Sequence, residues 1–237
     1  MMEVQFAVAK ISKYAMSESG DTLEMIERPH GGISLVLVDG QRSGKSAKNI
    51  SNVVARKAIQ LLAEGVRDGA AARAAHDYLY TYRKGKVSAT LNILSIDNAT
   101  KTFVISRNNE APVIIHQQEK GLYLLDEPSR SVGTHRNTKP VITEFPITPG
   151  TLIVVFTDGL RHAGTLSGNE RYDPVAAMAQ MMADGVDSPR QIADTLLAEA
   201  VARDNGRPRD DISVLVAAVT APPQKNEVRR LDVYLPL

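Results

Sequence analysis

The chain has 237 residues, enough to bury a full hydrophobic core and within the range of a single large domain. Its 28 basic and 27 acidic residues leave a formal net charge of +1, so no overall attraction to nucleic acid or to an anionic membrane is expected. The absence of cysteine excludes disulfide frameworks, thiolate zinc sites and cysteine nucleophiles. The N-terminus has an early acidic residue and too short an apolar stretch for a secretory signal. No apolar run approaches the roughly 20 residues of a membrane span. Both observations predict a soluble cytoplasmic protein.

The first part of the chain predicts two strands and then a pair of helices. Apolar patterns indicate strands over 5–14 and 33–38. Lys10 and Lys13 interrupt the apolar residues of the first strand, which predicts that it lies at a sheet edge. Apolar side chains at three- and four-residue spacings then predict amphipathic helices over 43–65 and 69–83.

A series of short strands is predicted next, at 89–96, 102–106, 112–116, 122–125, 141–145 and 151–156. Their short polar connections suggest consecutive hairpins, an antiparallel meander. Two further helices are predicted at 173–183 and 189–202, the second with Ser188 as N-cap and Pro189 in its first position, before a last strand at 212–219.

Strands flanking two separated helix pairs predict an α+β fold, a four-layer α-β-β-α sandwich of two antiparallel sheets. One domain should therefore cover residues 1–220. Pro222 and Pro223 interrupt the last strand, and residues 221–237 are either a flexible tail or an edge strand.

Four acidic motifs lie at the ends of apolar runs or in turns. Asp21 follows Ser-Gly, Asp39 and Asp158 each end a β-favouring run and precede glycine, and Asp210 begins Asp-Asp-Ile-Ser. One strand followed by Asp-Gly is an ordinary tight turn. Several carboxylates collected at strand ends are, however, what hard divalent cations need as ligands.

In this order the motifs resemble the metal-dependent type 2C protein phosphatases, most closely their bacterial SpoIIE-like branch. There, Gly-Asp, Asp-Gly, Thr-Asp-Gly and Asp-Asp-Ile/Met-Thr/Ser follow one another, and the similarity here runs from about Ser19 to Val219. The resemblance implies the same sandwich fold and hydrolysis of phosphoserine and phosphothreonine by a water activated by two Mn²⁺ or Mg²⁺ ions. It also implies a phosphoprotein substrate, such as an anti-sigma-factor antagonist or a stress-signalling scaffold protein of a bacterial partner-switching pathway.

The same resemblance implies a set of metal ligands, namely Asp21, Asp39, the carbonyl of Gly40, Asp158 and Asp210. Asp39 should bridge the two ions, the Gly40 carbonyl should complete one coordination sphere, and Asp158 and Asp210 should hold the other ion. Asp39 and Asp158 are therefore the candidate catalytic residues. Asp211 is expected either to support this cluster or to form an Asx-type turn before the last strand. Gly159 is a candidate supporting or substrate-contacting position.

The chain departs from the family pattern in two loops. Type 2C enzymes usually have Asp-Gly-His-Gly or Asp-Gly-Met-Gly where this chain has Asp39-Gly40-Gln41-Arg42. The guanidinium of Arg42 either binds phosphate, for which its planar fork is well matched, or is a solvated loop residue. The usual Ala-Gly-His is replaced by Arg107-Asn108-Asn109, so no family role is carried over to this loop. His162 is the histidine expected nearest the metals.

Two other functions remain open from the sequence. The altered Gln41-Arg42 loop is compatible with a binding module that keeps the sandwich and has lost turnover. A hydrolase of small phosphorylated molecules is the second alternative. It would have a deep, enclosed pocket, whereas a phosphoprotein phosphatase would have an open rim.

Overall fold

Ten strands and five α-helices form over residues 2–221 and 228–236, which the computed structural model describes. The strands are β1 (Glu3–Ile11), β2 (Asp21–Glu27), β3 (Ile33–Gly40), β4 (Ala89–Asp97), β5 (Thr102–Asn108), β6 (Val113–Gln117), β7 (Gly121–Leu125), β8 (Val141–Pro146), β9 (Leu152–Phe156) and β10 (Ile212–Thr220). The helices are α1 (Gly44–Ala63), α2 (Asp68–Arg83), α3 (Asp158–His162), α4 (Pro174–Ala183) and α5 (Pro189–Arg203).

Two five-stranded antiparallel sheets pack face to face. One has the order β1-β10-β9-β6-β7 and is covered on its outer face by α4 and α5; the other has the order β2-β3-β4-β5-β8 and is covered by α1 and α2. The predicted four-layer α-β-β-α sandwich is therefore confirmed, as is the edge position of β1. Among the described helices, none combines the length and the apolar character that a membrane crossing requires.

Strand β3 shows why the central strands are apolar without interruption. Leu35 and Leu37 point into the core between the sheets, whereas Val36 and Val38 pack against α1 and α2. All four side chains are buried. Burying each contributes about 1.5–3 kcal/mol, so both faces of this strand hold it in place. The strand is thereby fixed in register up to its acidic end.

The predicted meander is wrong, because the chain changes sheet between hairpins. β4 and β5 pair in one sheet, β6 and β7 pair in the other, β8 returns to the first and β9 to the second. Strand periodicity is the same in either sheet, so sequence patterns do not show these crossings. Strand β2 was not predicted, because Glu24 and Met25 are exposed at this sheet edge and the apolar alternation is weak.

The tight turns predicted after Asp39 and Asp158 are also wrong. Asp39 and Gly40 are still within β3, and Asp158 is the first residue of α3. At the other end of the chain, residues 222–227 and 237 lie outside the described residues. Residues 228–236 form neither helix nor strand, and Arg229 pairs with Glu27 at 3.2 Å.

Candidate active site

Five of the predicted site residues line one cleft of about 400 Å³, namely Asp39, Gly40, Arg42, Asp158 and Asp210, whereas Asp21, Asp211 and Gly159 do not line it. Asp39 comes from the end of β3, and Asp158 follows β9 of the opposite sheet. Asp210 comes from the segment that precedes β10. Because β3 and β9 end at the same edge of the sandwich, residues more than a hundred positions apart meet there.

The carboxylates in this cleft are close enough to repel one another strongly. Burial raises the pKa of Asp39 to about 10, and the charges of Asp21, Asp158 and Asp210 act in the same direction. A hydrogen bond between the Asp39 and Asp158 carboxyl groups also acts in this direction. Burial and the charge of Asp158 likewise raise the pKa of Asp210. A cluster that takes up a proton in this way has a high affinity for positive charge.

Asp21 lies behind the cleft and is fully buried. In the β2–β3 register it is directly opposite Asp39. Its Oδ2 accepts hydrogen bonds from the hydroxyls of Thr157 at 2.9 Å and Ser213 at 2.6 Å, while burial raises its pKa to about 6. Its Oδ1 is buried and has no hydrogen-bond partner in the described part of the chain. One carboxylate oxygen is thus held in place and the other is left for a ligand.

The main chain at Asp21 is held by two lysines that sequence analysis did not identify. Lys10 from β1 and Lys48 from α1 both donate to the Asp21 carbonyl, at 2.6 and 2.7 Å. Their positive charges lie beside the acidic cluster and lower its electrostatic cost. No local signal links two lysines 38 positions apart on different elements. Thr157 and Ser213, in contrast, are part of the acidic motifs themselves.

Two glycines allow the backbone segments of the site to come together. A Cβ atom on Gly40 would lie 2.1 Å from the carbonyl oxygen of Ala47 in α1, and one on Gly159 would lie 2.1 Å from that of Asp211. Both distances are far below van der Waals contact. The glycine after each of Asp39 and Asp158 is therefore required for packing, and Gly159 supports the site through its backbone.

Asp211 points away from the cleft. Its Oδ1 accepts the backbone N–H of Lys13 at 3.0 Å and its Oδ2 accepts that of Gly20 at 2.9 Å. The side chain is buried, with the residue only 4% exposed. Asp211 thus fastens the segment between β1 and β2 to the start of β10 and fixes the position of Asp21. Of the two expectations for this residue, the supporting role describes these contacts.

Gln41 anchors the loop that leads from β3 into α1. Its N–H donates to the carbonyl of Ser88 at 3.0 Å, and its Oε1 accepts the N–H of Ser88 at 3.1 Å. Arg42, the next residue, is exposed and has a φ of +81°, a backbone conformation that favours glycine. The altered loop is therefore ordered around Gln41, and Arg42 extends along the rim of the cleft.

Asn109, Glu110 and Ala111 line a neighbouring cavity of about 230 Å³, and the preceding Arg107 and Asn108 hold this segment in place. The fully buried Arg107 guanidinium donates to the carbonyls of Asn109 and Glu127, and Asn108 donates to that of Arg130 at 2.9 Å. This cavity shares Thr90, Ser131 and Asp158 with the main cleft. His162 also lines it, with Nδ1 3.8 Å from an Asp158 oxygen.

The donor set fits hard divalent cations. Carboxylates, a backbone carbonyl and water are the ligands that Mg²⁺ and Mn²⁺ prefer, and the cleft combines Asp39, Asp158 and Asp210 with the Gly40 carbonyl at its edge. The unpartnered Oδ1 of Asp21 lies behind them. Within the residues that the structure describes, no three acidic or histidine side chains already form a closed ligand cage.

Comparison with known proteins places this geometry in a family. The family model described as Stage II sporulation protein E (SpoIIE) matches residues 29–220. A Stage II sporulation protein E from Priestia megaterium is 21% identical over 214 residues, which are 90% of this chain and 36% of that protein. The chain therefore spans little more than a third of that relative.

Solved structures show the same fold. The PP2C phosphatase domain of SpoIIE from Bacillus subtilis, solved with a fragment of its regulatory domain, superposes with a TM-score of 0.79 at 19% identity, over 92% of this chain and 64% of that one. The catalytic domain of the serine/threonine phosphatase PstP in complex with two manganese ions has a TM-score of 0.68 at 16% identity, over 93% of this chain and all of the other. With the family model matched over most of its length, this chain belongs to the SpoIIE family, and it has the fold of PP2C phosphatase domains.

Proposed function

We propose that the protein is a metal-dependent serine/threonine phosphoprotein phosphatase that uses two Mn²⁺ or Mg²⁺ ions. The observation that carries the proposal is the meeting of Asp39, Asp158 and Asp210 in one cleft, with Asp39 holding a proton under the repulsion of its neighbours. Bound by these residues, two ions would activate a water and neutralise phosphate oxygens. Asp39, Asp158, Asp210 and the carbonyl of Gly40 would hold them, with the free oxygen of Asp21 behind.

The protein's own residues orient this centre. Thr157 and Ser213 fix one oxygen of Asp21, while Lys10 and Lys48 fix its main chain. Such preorganisation lets the ligands bind without reorganising when substrate arrives. Asp158 lines both the main cleft and the neighbouring cavity. The residues that flank the phosphorylated side chain of a substrate can lie in that cavity.

The shape of the site favours a protein substrate over a small metabolite. The Asp158 side chain is 42% exposed, and the main cleft runs into the second cavity through shared walls. A small-molecule hydrolase would enclose its substrate on most sides. We therefore assign a phosphoprotein as the substrate. The resemblance to the SpoIIE-like phosphatases implies phosphoserine or phosphothreonine in an anti-sigma-factor antagonist or a stress-signalling scaffold of a cytoplasmic partner-switching pathway.

Hydrolysis of p-nitrophenyl phosphate and of a phosphoserine peptide, measured with Mn²⁺, Mg²⁺ or EDTA, tests this function. Activity should need a divalent ion, and Asp39→Asn or Asp158→Asn should abolish it while far-UV circular dichroism stays unchanged. Asp184→Asn, at an exposed aspartate after α4, is the matched control and should retain activity. Full turnover in EDTA would refute the mechanism. A folded, metal-binding parent without turnover would instead support the binding module.

A further inference from the structure

His76 is a buried histidine that lies outside both cavities of the site. It belongs to α2, and the residue is only 1% exposed. Its Nδ1 accepts the backbone N–H of Gly133 at 3.0 Å. Its Nε2 is buried and has no hydrogen-bond partner in the part of the chain that the structure describes. Because Nδ1 is an acceptor, the ring is neutral and carries its proton on Nε2.

Gly133 ends a short segment, residues 129–133, that forms a wall of the site. Within this wall segment, Ser131 lines both the main cleft and the neighbouring cavity. Ser129 fixes the start of the wall segment, because its hydroxyl donates to the carbonyl of Arg107 at 2.6 Å. The position of Ser131 then depends on how the other end is held.

Two contacts hold that other end. Val132 exchanges two backbone hydrogen bonds with Ala89, at 3.0 and 2.9 Å. Gly133, with a φ of +102°, lies so close to α2 that a Cβ atom on it would be 2.5 Å from the side chain of Leu79. The Gly133 N–H is buried in this contact, and without the His76 acceptor it would be left unsatisfied.

Protonation of His76 breaks this hydrogen bond. An imidazolium carries hydrogens on both nitrogens, so Nδ1 would direct a donor at the Gly133 N–H. Burial lowers the pKa of His76 below its ordinary value of 6.5; the charge of Asp77, with an oxygen 3.8 Å from Nε2, opposes this shift, and the charge of His135 adds to it. The ring is therefore neutral at pH 7 and takes up its proton only in mildly acidic solution.

Other ionisable side chains near this ring are engaged elsewhere. Tyr80 lies beside His76, with 6.0 Å between the ring centroids, and its hydroxyl accepts a hydrogen bond from Nε of Arg136 at 3.2 Å. Charged side chains of the elements packed against α2 have other partners, namely Lys57 of α1 at the ring of Tyr78, Asp97 of β4 at the N–H of Ala99 and Arg107 of β5 at the carbonyl of Asn109.

We propose that neutral His76 is a positioning residue for the reaction. By accepting the Gly133 N–H, it holds the wall segment where Ser131 borders both cavities, and its protonation releases the wall segment. This assignment rests on the proposed function, because a substrate must occupy those cavities to sense the position of Ser131. Affinity for a phosphoprotein should therefore fall in mildly acidic solution.

The KM for a phosphoserine peptide, measured in Mn²⁺ between pH 5.5 and 8, tests the assignment. Metal binding and substrate ionisation change in the same range, so each variant is compared with the parent at the same pH. His76→Leu should raise KM about two- to tenfold at pH 8, as expected for loss of one hydrogen bond, with a smaller change in kcat. His76→Asn should match the parent at pH 8 and have the lower KM at pH 5.5 by a similar factor, because its Oδ1 accepts without titrating.

His135→Asn is the matched control. It removes an exposed imidazole two residues after Gly133 and leaves the His76 hydrogen bond in place. This variant should show the same fall in affinity toward acidic pH as the parent. A KM ratio between His76→Asn and the parent that stays constant from pH 5.5 to 8 would overturn the proposal.

Nuclear magnetic resonance of the metal-free protein gives a second readout that needs no turnover. The amide signal of Gly133 should shift with the midpoint of the His76 imidazole, and this shift should be absent in His76→Asn. A Gly133 amide that does not follow His76 would equally overturn the proposal. If the amide follows His76 but the parent shows no turnover with any divalent ion, the proposed function fails while the hold of His76 on the wall segment is supported.

Discussion

Asp211 and Asp210 are neighbours in the chain, and the structure predicts opposite effects when each is replaced by asparagine. The Asp211 carboxylate accepts two backbone N–H groups, one on each oxygen, at 3.0 and 2.9 Å; the first bond is partly buried and the second is buried. An amide keeps one oxygen and directs its NH₂ group at the other donor. Charge-assisted hydrogen bonds contribute about 1.5–3 kcal/mol each, and a buried donor without an acceptor adds to the loss. Asp211→Asn should therefore lower the free energy of unfolding by about 2–4 kcal/mol.

Asp210→Asn is the matched control. The Asp210 side chain accepts the N–H of Asp211 at 2.9 Å, and an amide oxygen can keep that bond. Burial and Asp158 raise the pKa of Asp210, so a neutral amide also relieves an unfavourable charge. The stability of this variant in EDTA should equal or exceed that of the parent, while its Mn²⁺ affinity should fall about tenfold or more, as expected when a metal ligand loses its charge.

Urea unfolding in EDTA at pH 7.5, followed by far-UV circular dichroism because the chain has no tryptophan, measures the stability difference. Calorimetric titration with Mn²⁺ measures metal affinity under conditions where both variants are folded. The reasoning would be refuted if Asp211→Asn were as stable as the parent. It would equally be refuted if Asp210→Asn were the less stable variant and Asp211→Asn lost more metal affinity.

Three further predictions concern pH, packing and the loop beside the cleft. Because the pKa of Asp39 is raised, the contribution of this residue to the stability of the metal-free protein is largest below the unfolded-state pKa near 4, and it is lost as the pH rises toward about 10. In urea unfolding between pH 5 and 8, the free energy of unfolding should fall by up to about 1.4 kcal/mol per pH unit. Asp39→Asn should remove this fall. Gly40→Ala would place a Cβ atom 2.1 Å from the carbonyl oxygen of Ala47. The substitution should lower the free energy of unfolding by at least about 3 kcal/mol or prevent soluble expression. A melting temperature like that of the parent would contradict this. His76 Nδ1 accepts the N–H of Gly133 at 3.0 Å. His76→Leu should therefore lower the free energy of unfolding in urea by about 1–3 kcal/mol. His76→Asn should lower it less, because the Oδ1 of asparagine can accept the same hydrogen bond.

Local chemistry made several parts of this protein predictable. The apolar periodicity of β3 and β10 identified strands because both faces of each are buried, and Ser188 and Pro189 located the start of α5. Asp39 and Asp158 are identified as site residues by short acidic motifs whose order along the chain resembles that of the type 2C phosphatases. These signals depend on residues that are close in the chain, where backbone geometry alone relates one side chain to the next.

Contacts between distant segments were decided only by the tertiary structure. Which sheet receives each hairpin depends on crossings that leave strand periodicity unchanged, so the predicted meander failed. The two lysines that hold Asp21 come from β1 and α1, and Lys13 reaches the cleft only because Asp211 fastens its backbone. The sequence by itself determined which residues carry the acidic chemistry. The packing of the two sheets determined which lysine and arginine side chains face these carboxylates, because electrostatic interactions depend on distance in space and not on distance along the chain.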